Sequence, residues 1–170
     1  MRKQKVAFHA KSIYDIPLSF LQKEGIRYLV ADLDNTLDSA YAIEPRKEAY
    51  ALKERLRQAS IELIVISNNK SDHVSSYCEK LGVRFLASAQ KFRKGRIMKF
   101  LSENQIAVNE CLFVGDQVFT DRIYVDKLKG RLILTLPLVR KDQFFTRFIR
   151  RYDMYKRSKW MKKNLLGSEI

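Results

Sequence analysis

Two aspartates separated by one residue, Asp32 and Asp34, are the first candidates for chemistry in this sequence of 170 residues. They directly follow the apolar run YLVA (28–31), and Thr36 completes the segment DLDNT. A carboxylate can attack phosphorus and form an acyl phosphate, which divides a difficult hydrolysis into two steps. A second carboxylate two residues later can protonate the leaving oxygen and then activate a water molecule. The pair therefore has the composition of a nucleophile with an acid–base partner.

Further polar residues follow three later apolar runs. Ser67, Asn68 and Asn69 come after IELIVI (61–66), and Lys91 follows RFLA (84–87) at a short distance. Gly115 and Asp116 follow CLFV (111–114), and Asp121 lies five residues beyond Asp116. A hydroxyl and an ammonium can hold phosphoryl oxygens, and clustered carboxylates can hold a hard divalent cation. Together these residue types are those required for phosphoryl transfer to a carboxylate.

The elements that must position these residues alternate along the chain. Five buried strands are predicted at 28–31, 61–66, 84–87, 111–114 and 132–136. Helical patterns fall between them, at 44–58, 71–80 (stopped by Gly82), 94–103 and 118–128. Strands separated by helices predict a Rossmann-like three-layer α/β sandwich with a central parallel five-stranded sheet. In that architecture ligands bind at the carboxyl ends of the strands, where all these polar residues would lie.

Each motif by itself has an ordinary explanation. DLDNT could be an Asx turn, Ser67-Asn68-Asn69 a helix cap, and Lys91 a solvated surface lysine. Their occurrence in order, each after a predicted strand, is what favours one catalytic site.

These residues, in this chain order, resemble the haloacid dehalogenase (HAD) superfamily, whose motifs are DxDx[TV], a Ser or Thr, a Lys, and GDxxx(x)D. The resemblance implies that Asp32 is the nucleophile and a Mg²⁺ ligand, and that Asp34 is the general acid and base and binds Mg²⁺ through its backbone carbonyl. Asp116 would be the third ligand. The same resemblance gives supporting roles to the remaining matched residues. Ser67, Asn68 and Lys91 would bind the phosphoryl group, Asp121 would orient Lys91 or a water molecule, and Thr36 and Gly115 would complete the two Asp motifs.

The whole chain resembles the YqeG family of HAD subfamily IIIA, which is similar to phosphatidylglycerophosphate phosphatases of mitochondria and plastids. The resemblance runs from KSIYDIPLSFLQKEGIRYLVADLDNTL through SNN and GDQVFTD to RFIRRYDMYKR. One departure concerns the motif-three lysine. That family usually has Pro after it, whereas Phe92 follows Lys91 here, so Lys94 remains an alternative phosphate-binding lysine.

The spacing of the motifs leaves no room for a large cap domain. Only the short stretch 37–43 separates Thr36 from the next predicted helix, and few residues lie between the third strand and Lys91. An open site is predicted, which suits a substrate that is large or embedded in a surface.

The formal net charge is +14, and the excess is concentrated near the C-terminus. The segment 140–163 carries ten Lys and Arg residues against two acidic ones, with aromatic residues at helical spacing. We divide the chain into a core at 1–139 and a basic amphipathic helical segment at 140–170. That segment could lie in an anionic lipid headgroup layer, or its aromatic stripe could pack on the sheet.

The sequence thus predicts a Mg²⁺-dependent phosphatase that converts phosphatidylglycerophosphate to phosphatidylglycerol at the cytoplasmic face of a membrane. No apolar run is long enough for a signal peptide or a bilayer span, so a cytoplasmic location is expected, with a peripheral position at the inner face of the membrane as the alternative. Soluble phosphorylated metabolites or nucleotides are alternative substrates. A basic RNA- or ribosome-associated binding protein with a secondary HAD site is the alternative from another class. The oligomeric state is left open.

Overall fold

The structure, a computed structural model, describes residues 8–40, 42–118, 120–138, 155 and 168–170. Seven strands of this part of the chain form one sheet. They are β1 (Phe8–Ala10), β2 (Tyr28–Ala31), β3 (Glu62–Ile66), β4 (Arg84–Leu86), β5 (Cys111–Gly115), β6 (Arg131–Thr135) and β7 (Ser168–Glu169). The order across the sheet is β4-β3-β2-β5-β6-β1-β7, and every neighbouring pair is parallel.

Five helices of the described residues accompany the strands. They are α1 (Leu18–Lys23), α2 (Lys47–Gln58), α3 (Ser71–Leu81), α4 (Lys94–Glu103) and α5 (Asp121–Leu128). The predicted fold class, a Rossmann-like α/β fold with a parallel sheet, is confirmed. The sheet is wider than predicted, because β1 and β7 extend its β6 edge. The residues of these two strands are FHA and SE, so neither strand contains an apolar run that a sequence pattern could reveal.

The strand order reverses direction between β2 and β5. From β2 the chain proceeds outward through β3 and β4, and it then returns to add β5 and β6 on the other side of β2. Ligands of open parallel sheets bind at such a switch point, beyond the carboxyl ends of the strands. The loops that follow β2 and β5 carry Asp32 and Asp116, so the topology brings the two Asp motifs side by side.

Alternating strand residues cover the two faces of the sheet. In β2, Leu29 and Ala31 pack into one apolar cluster with α1, α2 and α3, whereas Val30 packs into a second cluster with α4 and α5. These three strand residues are fully buried. Burial of one such side chain stabilises a fold by about 1.5–3 kcal/mol, and here both faces of the sheet contribute.

Two predicted helices begin later than expected. Helix α2 begins at Lys47, not at Glu44, because the Asp38 carboxylate accepts a hydrogen bond from the Arg46 amide and holds the preceding residues in a loop. Helix α5 begins at Asp121, not at Val118. The other predicted strands and helices agree with the structure to within one or two residues, and Gly82 ends α3 in the left-handed conformation with φ 69°.

Short loops, and no inserted domain, follow β2 and β4 in the described parts of residues 32–46 and 87–93. None of the helices that the structure describes is long and apolar enough to cross a membrane. The predicted basic segment 140–170 lies outside the described residues except for Tyr155 and residues 168–170. The division at residue 139 therefore stays a prediction.

Candidate active site

The residues that follow β2, β3 and β5 meet at the carboxyl edge of the sheet. The Asp32 amide donates to the Val114 carbonyl at 2.9 Å, which continues the pairing of β2 with β5 one residue beyond the strand. The Ser67 amide donates to the Leu86 carbonyl at 3.0 Å and extends the pairing of β3 with β4 in the same way. The first polar residue of each loop thus still takes part in the backbone hydrogen bonding of the sheet, which fixes its position.

Lys91 lies between two carboxylates in the interior of this edge. Its Nζ is 2.7 Å from Oδ1 of Asp32 and 2.7 Å from Oδ1 of Asp121. The ring of Tyr124 on α5 lies 5.4 Å from the same ammonium. Lys91 is 1% exposed and Asp121 is fully buried, so these ion pairs are shielded from water.

The surroundings shift the ionisation of this group. Burial raises the pKa of Asp32 to about 7; the Lys91 ammonium opposes that rise, and Asp121 and Asp34 add to it. Burial alone would lower the pKa of Lys91, but the neighbouring Asp121 and Asp32 carboxylates outweigh it and raise that pKa. Lys91 therefore stays charged, and Asp32 needs further positive charge nearby to be fully ionised at neutral pH.

Three buried carboxylates converge at this position. One oxygen from each of Asp32, Asp116 and Asp121 lies within 4.8 Å of the others. Three carboxylates with the single positive charge of Lys91 leave a deficit of positive charge, and oxygen ligands are those that hard divalent cations prefer. The group therefore fits a divalent cation such as Mg²⁺.

Asp121 differs from the other two members of this cluster. Its Oδ1 accepts from Lys91, and its Oδ2 accepts from the Gln117 amide at 3.0 Å. Because both oxygens are engaged, Asp121 is suited to orient Lys91. Asp32 and Asp116 are then the carboxylates best placed to hold a cation.

Gly115 allows Asp121 to approach the end of β5. A Cβ at position 115 would lie 2.3 Å from both Cγ and Oδ2 of Asp121. That separation is well inside van der Waals contact, so any larger residue would displace the Asp121 carboxylate.

Asp34 projects toward a different neighbour. Its Oδ2 accepts from the side-chain amide of Asn69 at 2.8 Å, and the Asn69 backbone amide donates to Oγ of Ser67 at 3.0 Å. The Asp34 carboxylate is not part of the carboxylate cluster found among the described residues. Asn69 was not predicted as a site residue, although the sequence placed it beside Ser67 and Asn68.

Asn68 and Lys91 join two loops of the site. The side-chain oxygen of Asn68 accepts from the Lys91 backbone amide at 2.8 Å. The Ala89 amide donates to the Ser67 carbonyl at 2.9 Å and strengthens the same connection. Lys91 is thereby directed inward, whereas Lys94 is exposed on the first turn of α4. Of the two lysines, Lys91 is the one that the structure brings to the carboxylates.

The loop around Thr36 has a buried anchor that sequence reasoning missed. Asn35 adopts a left-handed conformation with φ 61°, and its amide donates to the Asp38 carbonyl at 2.6 Å. The Asp38 carboxylate accepts from Tyr77 Oη at 2.9 Å and from Arg46 Nη2 at 2.9 Å. Thr36 itself is 1% exposed, and its hydroxyl has no hydrogen-bond partner in the described residues. The only sequence signal for this anchor was an acid shortly after the DLDNT segment.

Comparison with known proteins identifies a family that matches most of this chain. The family described as mitochondrial PGP phosphatase matches residues 5–136. YqeG of Bacillus subtilis (strain 168), named a probable phosphatase, is 26% identical over 143 residues, which are 84% of this chain and 83% of that protein.

A plant protein and a solved structure extend the comparison. Phosphatidylglycerophosphate phosphatase 1, chloroplastic/mitochondrial, of Arabidopsis thaliana is 27% identical over 165 residues, which are 91% of this chain but 47% of that protein. This chain thus spans about half the length of the plant relative. A structure from Vibrio cholerae, described as a proposed 3-deoxy-D-manno-octulosonate 8-phosphate phosphatase, superposes with a TM-score of 0.53 at 15% identity, over 75% of this chain and 85% of that one. That likeness concerns the fold alone.

Proposed function

This chain belongs to the mitochondrial PGP phosphatase family of HAD-type phosphatases, and we propose that it removes the terminal phosphate of phosphatidylglycerophosphate at a membrane surface. It is a hydrolase that acts on phosphoric monoesters. The observation that carries the proposed mechanism is the buried chain Asp32–Lys91–Asp121, with Asp116 beside it, at the switch point of the sheet.

Asp32 is the nucleophile of the proposed reaction. One of its carboxylate oxygens forms a bond to the phosphorus atom while the bond from phosphorus to the leaving alcohol oxygen breaks. Asp34 donates its proton to that oxygen, and the alcohol leaves. In the second step Asp34 takes a proton from water, the water oxygen bonds to phosphorus, and the bond to Asp32 breaks to release phosphate.

Several residues hold the phosphoryl group in this proposal. Lys91 supplies a fixed positive charge for the phosphoryl oxygens, and Ser67 and Asn68 supply hydrogen bonds. Asp121 keeps the Lys91 ammonium at the position where it also contacts Asp32. Preorganised groups of this kind require little rearrangement as charge develops in the transition state.

Mg²⁺ is the proposed cofactor. The carboxylates of Asp32 and Asp116 and the backbone carbonyl of Asp34 would hold it. When bound, the ion would offset repulsion between the attacking carboxylate and the phosphate dianion and favour the ionised form of Asp32.

The lipid substrate and the membrane location rest on three supports. The Arabidopsis relative is named for phosphatidylglycerophosphate. In the part of the chain that the structure describes, only short loops follow β2 and β4, and they leave the site open. The net charge of +14 attracts anionic surfaces. These supports favour a peripheral position at the inner face of the membrane.

The test is phosphate release from phosphatidylglycerophosphate in mixed micelles with Mg²⁺, measured beside a panel of soluble phosphomonoesters. The proteins are the wild type, Asp32→Asn, and Asp72→Asn as a control at an exposed aspartate of α3. We expect a strong preference for the lipid, no turnover by Asp32→Asn, and unchanged turnover by Asp72→Asn.

The other outcomes separate the parts of the proposal. Cleavage of soluble esters only would keep the HAD chemistry and overturn the lipid assignment. Wild-type turnover by Asp32→Asn would overturn the mechanism.

A further inference from the structure

An open groove lies directly beside the candidate active site. It has a volume of about 460 Å³ and is lined by Asn68, Ser88, Gln90, Phe92 and Arg93. That volume is within the range of about 300–1,000 Å³ typical of small-ligand clefts. Asn68 joins the groove to the candidate active site, because it lines the groove and also accepts from the Lys91 backbone amide.

The groove combines a cation with an apolar surface. Arg93 is exposed, and within the described residues no hydrogen bond or ion pair engages its guanidinium. Phe92 is 47% exposed and adds apolar surface to the lining of the groove. The neighbouring residues Lys94 and Arg96 are also exposed, so the potential around the groove is positive.

The backbone of the groove is held in position despite this exposure. Ser88 and Gln90 both have left-handed conformations, with φ 48° and φ 50°. The Ser88 amide donates to the Asn69 carbonyl at 2.9 Å, and Lys127 Nζ donates to the Phe92 carbonyl at 2.6 Å. Left-handed conformations of non-glycine residues cost energy and persist where the surroundings enforce them, often in ligand-binding loops.

We propose that this groove binds the part of the substrate that is not transferred, and that Arg93 pairs with a second phosphate group carried there. The ligand is a phosphodiester joined through a short polyol to the phosphomonoester held at Asp32. The exposed face of Phe92 packs against the carbon skeleton, and the Arg93 guanidinium donates two hydrogen bonds to the diester oxygens. This inference rests on the proposed function and names the feature of the substrate by which the site selects it.

Direct binding of the diester gives the first test. Glycerophosphoglycerol, which has a phosphodiester and no phosphomonoester, should inhibit hydrolysis of p-nitrophenyl phosphate competitively. In Arg93→Gln its inhibition constant should rise at least about tenfold, because a neutral amide replaces the two charge-assisted hydrogen bonds of the guanidinium. Arg93→Lys should restore part of the loss. Hydrolysis of p-nitrophenyl phosphate and inhibition by inorganic phosphate should not change.

Arg96→Gln is the matched control, since Arg96 is exposed on α4, three residues after Arg93, and does not line the groove. Its inhibition constant for glycerophosphoglycerol should equal that of the wild type. An equal rise in both variants would show general attraction to charge and overturn the proposal. An unchanged constant in Arg93→Gln would overturn it as well.

Turnover of two substrates separates a lipid from a soluble source of the diester. Arg93→Gln should raise KM for phosphatidylglycerophosphate in neutral micelles and for its deacylated, water-soluble analogue by similar factors. A rise for the micellar lipid alone would place Arg93 at the lipid surface and overturn the groove assignment. Absence of wild-type turnover of either substrate would overturn the proposed function, and the inhibition constants would still decide the role of the groove.

Discussion

The Lys91 ammonium lies 2.7 Å from a carboxylate oxygen of Asp32 and 2.7 Å from one of Asp121, at a position that is 1% exposed. A buried charge is costly unless it is paired, and here the pairing serves two carboxylates at once. Removal of the lysine would leave two acidic groups close together with no compensating charge. The same contact is therefore expected to support both catalysis and folding.

We expect Lys91→Met to lower the free energy of unfolding by about 3–5 kcal/mol in the absence of divalent cations, because it breaks a buried ion pair from one side. Its kcat should fall by about 10²-fold or more, since a preorganised positive charge is lost. Chemical denaturation and phosphate release measure the two effects. Lys94→Met, at an exposed lysine, should change stability by less than about 0.5 kcal/mol; an equal loss in both variants would contradict the assignment.

Asp34→Asn is expected to slow both chemical steps, because the proposed proton donor and acceptor is removed while the shape of the side chain is kept. The rate should fall by about 10²–10⁴-fold, the usual contribution of general acid–base catalysis. Acid-quenched protein should retain labelled phosphate if the second step is slowed more than the first. Asp32→Asn is the control and should retain none. Full activity of Asp34→Asn would remove the acid–base role.

In the two loops that follow β2 and β5, hydrogen bonds to a carboxylate hold the backbone in a non-helical conformation before the next helix begins. Asp38 accepts from the amide of Arg46 and delays the start of α2, while Asp121 accepts from the amide of Gln117 just before α5. Gly115 makes room for the second of these contacts. Each loop is thus closed by one buried carboxylate.

Gly115→Ala should displace the Asp121 carboxylate, since the added Cβ would come within 2.3 Å of its Cγ. Overpacking of this kind costs about 1–3 kcal/mol of stability, and kcat should fall because Lys91 loses its fixed partner. Gly95→Ala provides the contrast, because a Cβ at that position of α4 meets nothing within 4 Å. That variant should be more stable by about 0.5–1 kcal/mol, with unchanged kcat. Thermal unfolding and kinetics test both; equal behaviour of the two variants would refute the prediction.

Asp38→Asn should lower the free energy of unfolding by about 1–3 kcal/mol at neutral pH, since its amide nitrogen would face hydrogen-bond donors. Burial alone would raise the pKa of Asp38, but hydrogen bonds from Arg46, Ser39 and Tyr77 outweigh it and lower that pKa. The carboxylate therefore contributes stability above its unfolded pKa of about 3.9, and this contribution is lost as pH falls through the lower folded value.

Denaturation between pH 2 and 6 measures this dependence. The difference between wild type and Asp38→Asn should be constant above about pH 5 and shrink below about pH 4. A difference that does not depend on pH would show that the Asp38 charge is not responsible.

In the whole molecule, the strand order gathers acidic side chains in one place although the chain carries an excess of positive charge. The switch point between β2 and β5 brings three carboxylates to one small region of a chain whose net charge is +14. A cation held there would join loops from both halves of the sheet. Ligand binding to the folded state alone would then stabilise the entire domain.

Mg²⁺ at about 100 times its dissociation constant should raise the free energy of unfolding by about 2.7 kcal/mol, and EDTA should reverse this and stop turnover. Asp116→Asn should abolish most of the Mg²⁺-dependent gain, because one proposed ligand becomes neutral. Thermal unfolding with and without Mg²⁺ measures the gain independently of activity. Glu103→Gln, at an exposed acid of α4, should respond to Mg²⁺ like the wild type. Stability that is indifferent to Mg²⁺ would refute the metal assignment.

The amino-acid sequence by itself determined the central strands and the order of the polar motifs that follow them. Runs such as IELIVI indicate a strand buried on both faces, and DLDNT after the first run points to the edge where ligands bind. The strand predictions were confirmed because apolar periodicity is a local property of the chain, whereas the catalytic roles of the motif residues stay predictions. The HAD-type family and the phosphatase class followed from the same motifs and are confirmed by the comparisons.

Only the tertiary structure decided the contacts between distant parts of the chain. The burial of Lys91 beside Asp32, the contacts of Asn69 and Asp38, and the short edge strands β1 and β7 all depend on pairs of residues far apart in sequence. A lysine is ordinarily solvated, so apolar periodicity does not predict that this one is buried between two carboxylates, and only the family resemblance pointed to its contact with Asp121. That outcome arises because the loops after β3 and β4 are joined through Asn68 and direct the Lys91 side chain inward.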